Sequence, residues 1–165
     1  MPILDERSLE FLSHSPEQTQ RIGVRLGELL MAGAVLCLAG ELGAGKTTLA
    51  QGIARGWGAL DSVTSPTFVL INEYRRADNE VLYHVDAFRL AAAAEAEALG
   101  IEELFEAPSP VIVEWPGRIE RLLPEEHLWI DMTWVDDSRR NLAFHAHGPQ
   151  HEALLRGLRR AAFGG

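Results

Sequence analysis

Cysteine is nearly absent from this chain. Its 165 residues include one, Cys37, so no internal disulfide can form and a disulfide-stapled secreted scaffold is excluded. Long apolar runs are also missing. Stretches such as Ala34–Leu38 fall far below the ~20 residues a membrane-spanning helix needs. Asp5, Glu6 and Arg7 stand where a signal peptide would require an apolar core, so a cytoplasmic location is expected and a membrane is not. Basic charge is scarce, with 15 Lys and Arg against 24 Asp and Glu and a formal net charge of −9. Unaided binding of a nucleic acid backbone normally rests on a basic face, so this balance argues against it without forbidding a local patch. Internal repeats, low-complexity tracts and Ser/Gly linkers are absent. The length fits one domain over residues 1–165. A chain of this size buries roughly 70% of its unfolded surface, enough for one core without metals.

The pattern of apolar residues predicts alternating strands and helices. Arg7–His14 reads as a first strand. The next helix has a marked start: Ser15 as N-cap, Pro16 in the first helical position and Gln18 three residues after the cap. Thr19, Ile22, Leu26, Leu29 and Leu30 recur at helical spacing, and Gly33 reads as the stop. Ala34–Ala39 is wholly apolar without alternation, as in a strand buried on both faces of a parallel sheet. A helix is expected from Lys46 to Trp57. Phe68–Tyr74 and Val81–Asp86 read as a hairpin, and Ala91–Leu99 and Ile101–Phe105 as helical pieces broken at Gly100. Val111–Trp115 is a short buried strand, Ile119–Leu123 a helical turn, and Leu128–Val135 and Asn141–His147 late strands. A last helix spans His151–Phe163. Such units predict an α/β three-layer fold with a mixed, mainly parallel central sheet.

Between the second strand and second helix stands Gly40-Glu41-Leu42-Gly43-Ala44-Gly45-Lys46-Thr47, a complete GxxxxGK[ST] pattern, extended by Thr48. Chance would supply it in on the order of one in a few hundred chains of this length, and here it also sits between an apolar strand and an amphipathic helix. Glycines let successive backbone N–H groups converge on phosphate oxygens. The helix that follows points its positive end at the same place. Lys46 can reach the β- and γ-phosphates and the Thr47 hydroxyl can ligate Mg²⁺. The [NT]KxD element that reads guanine in GTPases is missing, so ATP is the expected nucleotide.

A phosphate loop of this kind needs a carboxylate in its metal shell. Asp86 and Glu114 each end an apolar strand, where ligands gather in parallel sheets. One can hold Mg²⁺ while the other orients or deprotonates water. Ser65-Pro66-Thr67 can touch the γ-phosphate as a switch loop does, or form a plain turn.

Taken together, GELGAGKTT (Gly40–Thr48), SPTF (Ser65–Phe68), NEY (Asn72–Tyr74), HVDAFRL (His84–Leu90) and VEWP (Val113–Pro116) resemble, in order and spacing, the TsaE (YjeE) family of bacterial ATPases. The resemblance covers about Ser13 to Arg140. It implies tRNA threonylcarbamoyladenosine biosynthesis alongside the TsaB–TsaD pair, which modifies the adenosine beside the anticodon of ANN-reading tRNAs, with ATP hydrolysis resetting that complex. The chain would then meet tRNA indirectly. The resemblance also implies that Gly43, Ala44, Gly45, Lys46, Thr47 and Thr48 hold phosphate, that Thr47 and Glu114 hold Mg²⁺, and that Asp86 lies near the γ-phosphate. By the same match His14, Pro16, Thr19 and Arg139 contact base and sugar. Asp86-Ala87-Phe88-Arg89 departs from the usual DLYR by losing a tyrosine hydroxyl, and Gly117 replaces the Glu of EWPE.

The remaining chemistry-bearing residues have plainer readings. Cys37 reads as a small core residue. His84 shares a strand face with Asp86 and suits a structural or supporting role. His145, His147 and His151 fit a solvated edge better than a zinc site, since no cysteine accompanies them. Trp115 can cover the nucleotide, face a partner or pack in the core. Arg156, Arg159 and Arg160 favour the last helix's dipole and read as a solvated face. Two other functions remain open at this level. A small-molecule kinase of the P-loop class would normally carry an Arg-rich lid. A non-hydrolytic nucleotide-dependent binding module would tolerate loss of either carboxylate.

Overall fold

A computed structural model gives the fold; the residues it describes are 6–60, 71–88, 97 and 100–163. The expected Ser65–Thr67 switch, the Ala91–Leu99 helix apart from Glu97, and Arg89 lie outside them. Among these residues seven strands form one sheet in the order β1-β7-β6-β2-β5-β4-β3. Here β1 is Ser8–Ser13, β2 Val35–Ala39, β3 Ile71–Arg75, β4 Val81–Asp86, β5 Val111–Glu114, β6 His127–Trp134 and β7 Arg140–His147. The four central strands run parallel, while β1, β7 and β3 join antiparallel at the two edges. This is the expected mixed α/β sheet with its parallel part in the middle. Val35, Leu36, Cys37 and Leu38 are all buried, because β2 has a neighbour on each side and helices over each face. Burial also pushes the Cys37 thiol far above its ordinary range, in keeping with a core residue.

Helices α1 (Pro16–Glu28), α2 (Lys46–Trp57) and α4 (Pro149–Phe163) accompany a short α3 (Ile101–Glu106) and a 3-10 segment at Pro116–Leu122. The cap of α1 is the one its sequence announces: Ser15 Oγ accepts from the Gln18 amide at 3.1 Å. The Gln18 side chain reaches one residue further back than a standard capping box and accepts from the His14 amide. The helix ends at Glu28, with Leu29 as C-cap, before the stop expected at Gly33. Gly33 instead makes a left-handed turn (φ 81°) into β2. Leu29, outside the helix, is partly exposed.

α1 and α2 touch backbone to backbone. A Cβ on Gly27 would run into the Ile53 carbonyl, and one on Gly56 into that of Val24. Gly23 and Gly52 are equally blocked, by Leu49 and Gln20 backbone atoms. Four glycines, spaced i and i+4 on each helix, therefore form a seam that seats α2 against α1. The apolar-stripe reading of α1 passed over them.

At the other end, α4 closes the sheet with Leu154, Leu155 and Leu158. Its arginines are not simply solvated: Arg159 Nη2 donates to Ser8 O at 2.7 Å and Arg156 pairs with Glu6 at 3.9 Å, tying the helix to β1 and the residues before it. The histidines divide in the same way. His145 is exposed beside Asp131, and His147 stacks on His127 at 4.5 Å, but His151 is a core residue whose Nε2 accepts the Val35 amide at 3.1 Å. The solvated-edge reading thus fails for His151, because the first turn of α4 folds it onto the start of β2. Among the described residues no helix is long and apolar enough to cross a membrane.

Gly27→Ala is expected to cost about 1–3 kcal/mol in urea unfolding, the usual range for overpacking, whereas Gly33→Ala, with open space around it, should cost only backbone strain. His151 gives a pH test. Burial lowers its pKa from 6.5 to about 4, so the unfolded chain takes up the proton first. Its contribution is complete above pH 6.5 and is lost as the pH falls toward 4, up to about 3 kcal/mol. His151→Gln should flatten the acid limb of the stability curve in that window.

Candidate functional site

Where β2 gives way to α2, Gly40, Gly43 and Gly45 all hold positive φ (149°, 82° and 100°). Side-chain-bearing residues rarely adopt this conformation, so the loop curls in a way few other sequences allow. A Cβ at Gly40 would also strike the Met132 carbonyl of β6. Gly45 is the N-cap of α2 and has no side chain to satisfy the helix's first amides. This helix start lines a cleft of about 480 Å³. This is the arrangement that draws an anion to a helix N-terminus.

The cleft walls come from several elements. α2 supplies Lys46, Thr47 and Thr48, the loop supplies Leu42, Gly43 and Gly45, and the first turn of α1 supplies Pro16 and Thr19. The carboxyl ends of β4 and β5 supply Asp86 and Glu114, with Phe88 and Trp115 following them. The turn before β7 supplies Ser138, and β7 itself Arg140. Asp86 and Glu114 are register partners on adjacent parallel strands, which places the two carboxylates side by side.

Lys46 is 6% exposed. Its ammonium donates to the Gly40 carbonyl and, at 2.8 Å, to that of Glu41. It also sits 4.1 Å from the Trp115 ring centroid. Burial lowers its pKa, and the charges of Glu114, Asp86 and Glu41 oppose that shift. The lysine is thus held in the loop's mouth by weak neutral acceptors that a stronger anion can replace. Trp115 reaches it because its backbone is left-handed (φ 58°), a conformation costing of order 1–3 kcal/mol for a bulky residue. Phe88, which stands where the family resemblance has tyrosine, packs on the same indole with ring centroids 4.8 Å apart.

Of the residues singled out by sequence, Gly43, Gly45, Lys46, Thr47, Thr48, Asp86, Glu114, Pro16 and Thr19 meet in this cleft. Ala44 is buried beneath the loop. Thr19 is buried, with its hydroxyl 2.7 Å from Ser13 Oγ, which in turn donates to Ser15 O; this braces the α1 end of the wall. His14 does not line the cleft. Nor does Arg139, which turns away into an ion pair with Asp136 at 2.6 Å. That guanidinium, with the Arg139 and Ser138 amides, holds the Asp136 carboxyl down at about 2. Arg140 takes the inward position instead, its Nε donating to Gly43 O at 3.0 Å and its Nη1 to Asp136 O and Arg139 O. Strand alternation could have identified it: Arg140 shares its parity with Leu142 and Phe144, which face the buried side.

These residues suit a phosphate chain with a divalent cation. The glycine-bent loop and uncapped helix end offer N–H donors, Lys46 offers a cation, and Thr47, Asp86 and Glu114 offer hard oxygen ligands. Loop, cleft and sheet together define a P-loop nucleotide-binding protein.

The comparisons narrow the class. The family model for threonylcarbamoyl adenosine biosynthesis protein TsaE matches residues 13–142. The tRNA threonylcarbamoyladenosine biosynthesis protein TsaE of Bacillus subtilis is 39% identical over 155 residues, covering 93% of this chain and 96% of the relative. Its counterpart from Haemophilus influenzae is 36% identical, covering 72% and 78%. The crystal structure of Bacillus subtilis YdiB superposes with a TM-score of 0.79 at 35% identity, over 94% of this chain and 97% of that one. The chain belongs to the TsaE family of tRNA threonylcarbamoyladenosine biosynthesis proteins.

The two neighbouring arginines can be told apart. Arg140→Ala should weaken binding of a fluorescent adenine nucleotide about tenfold or more, since it removes a charged hydrogen-bonding group from the cleft wall. Arg139→Ala should leave it within about twofold, as its partner is an exposed surface carboxylate.

Proposed function

We propose that the chain is an ATP hydrolase that binds Mg-ATP in the cleft above β2. We further propose that it acts with the TsaB–TsaD pair in forming the threonylcarbamoyl group on the anticodon-adjacent adenosine of ANN-reading tRNAs. The observation that carries this reading is one convergence: the Lys46–Thr48 helix start faces Asp86 and Glu114 across a single cleft.

In this reading the backbone amides of residues 43–48 and the Lys46 ammonium bind the phosphates. Thr47 and Glu114 hold Mg²⁺, and Asp86 stands near the γ-phosphate to orient the attacking water. Bound Mg-ATP supplies an electrophilic terminal phosphorus whose charge the metal offsets. Lys46 lies close to both carboxylates, so it keeps their negative charge balanced before nucleotide arrives and gives up its carbonyl partners for phosphate oxygens. Pro16, Thr19 and Arg140 bound the base and sugar end. This reassigns to Arg140 the role that the family resemblance gave Arg139. The missing guanine-reading element supports ATP over GTP.

Hydrolysis by the protein alone should be slow. Among the described residues Arg140 is the arginine lining the cleft, and its Nε and Nη1 are committed to backbone carbonyls. We assign stabilisation of the transition-state charge to a group supplied by a partner, an effect that reaches roughly 10³–10⁵-fold in other P-loop proteins, with Arg89, which lies outside the described residues, as the internal candidate. The reading places the protein in the cytoplasm and gives it contact with tRNA only through its partners.

ATP hydrolysis measured with and without TsaB–TsaD, in the same tube as multiple-turnover tRNA modification, checks the proposal. The expected result is a large stimulation by the pair and a requirement for ATP in every round after the first. Full-speed hydrolysis by the isolated protein, indifferent to TsaB–TsaD, would sink it.

A further inference from the structure

Behind Glu114 runs a buried polar chain that the nucleotide site does not reach directly. β3, β4 and β5 are neighbours, and Tyr74, His84 and Glu114 take one position on each, stepping diagonally across the same sheet face. Tyr74 is 4% exposed, His84 0% and Glu114 3%. The Tyr74 hydroxyl lies 3.0 Å from His84 Nδ1, and His84 Nε2 lies 2.6 Å from Glu114 Oε2.

A fully buried imidazole is costly unless both nitrogens are satisfied. Here both are, and the way they are satisfied fixes the ring. An ionised carboxylate only accepts, so Nε2 carries the proton. In the neutral ring Nδ1 then accepts, and the Tyr74 O–H is placed to donate to it. One tautomer follows, and with it one orientation of the glutamate. With Oε2 held from behind, Oε1 is the oxygen left to face the cleft that Glu114 lines. Carboxylates and imidazoles that ligate metals are commonly oriented in this manner by partners that never touch the metal.

We propose that Tyr74 and His84 are positioning residues. They lock the Glu114 carboxylate so that a single oxygen is presented to the nucleotide-bound cation. The inference rests on the proposed role of Glu114 and goes beyond it, since it assigns the orientation to a hydroxyl two strands away.

Two readouts test it, one of them without nucleotide or metal. In the free protein, ¹⁵N spectra of the histidine rings should show His84 as the Nε2–H tautomer, and Tyr74→Phe, which keeps the ring packing but removes the donor to Nδ1, should shift the Nδ1 resonance to that of an acceptor nitrogen without a hydrogen bond. The second readout is the gap between ATP affinity with Mg²⁺ and with EDTA. Glu114→Gln should close most of this gap. Tyr74→Phe should narrow it by about tenfold, the lower end of what loss of such a partner costs, with affinity in EDTA unchanged. His84→Leu should do at least as much, and His84→Gln, whose amide can donate to Glu114, should recover part of it. If His84→Leu does not fold, Tyr74→Phe decides the matter. If Glu114→Gln closes the gap while Tyr74→Phe changes neither the gap nor the Nδ1 resonance, the relay is wrong and Glu114 stands. If Glu114→Gln itself leaves the gap intact, the role of Glu114 falls, and the relay with it.

Discussion

Pairing of β2 between β5 and β6 is the constraint on which the cleft depends. Leu38 stands level with Glu114 on one side and Ile130 on the other. The glycine loop that follows therefore emerges beside the end of β5 and under the backbone of β6. A register slip of one residue would turn Glu114 to the opposite face and put an apolar side chain in the cleft. Complete burial of Leu36, Cys37 and Leu38 makes such a slip costly. The chemistry is held in place by hydrocarbon that takes no part in it.

Legibility in the sequence followed the range of the interaction. The α2 helix spans Lys46–Trp57 as its sequence indicates, and the Ser15 cap and the β3–β4 hairpin are likewise where local signals put them. All three are decided by residues a few positions apart. What escaped was decided at a distance. The end of α1 at Glu28 depends on how Leu29 and the turn through Gly33 meet the sheet. The Gly23, Gly27, Gly52 and Gly56 seam has meaning only once two helices lie together. His151 reads as surface until α4 folds its first turn onto Val35. In the cleft, the carboxylates could be read from strand ends, but the choice between Arg139 and Arg140 required knowing which face of β7 is inside. The left-handed backbone of Trp115, which aims the indole at Lys46, has no sequence signature of its own, so the sequence is compatible with all three placements of that ring.

The site spends stability in identifiable places. A largely buried lysine, a buried glutamate and a bulky residue at positive φ each oppose folding when taken alone. They persist because the surroundings over-determine them. The lysine has two carbonyls and an aromatic face, the glutamate has an imidazole, and the tryptophan is followed by Pro116 and packed against Phe88. These compensations link loop, strand ends and hairpin into one connected set, so the parts cannot be varied independently.

The glycine seam between α1 and α2 has a mechanical consequence. Two helices whose backbones are already in contact have no side-chain layer to compress or slide through, so they move as a single stiff lever. A displacement begun at the start of α2 is passed undiminished to α1, and from its first turn to the Ser13–Thr19 brace at the edge of the sheet. Adjustment to a filled cleft is therefore expected outside this helix pair.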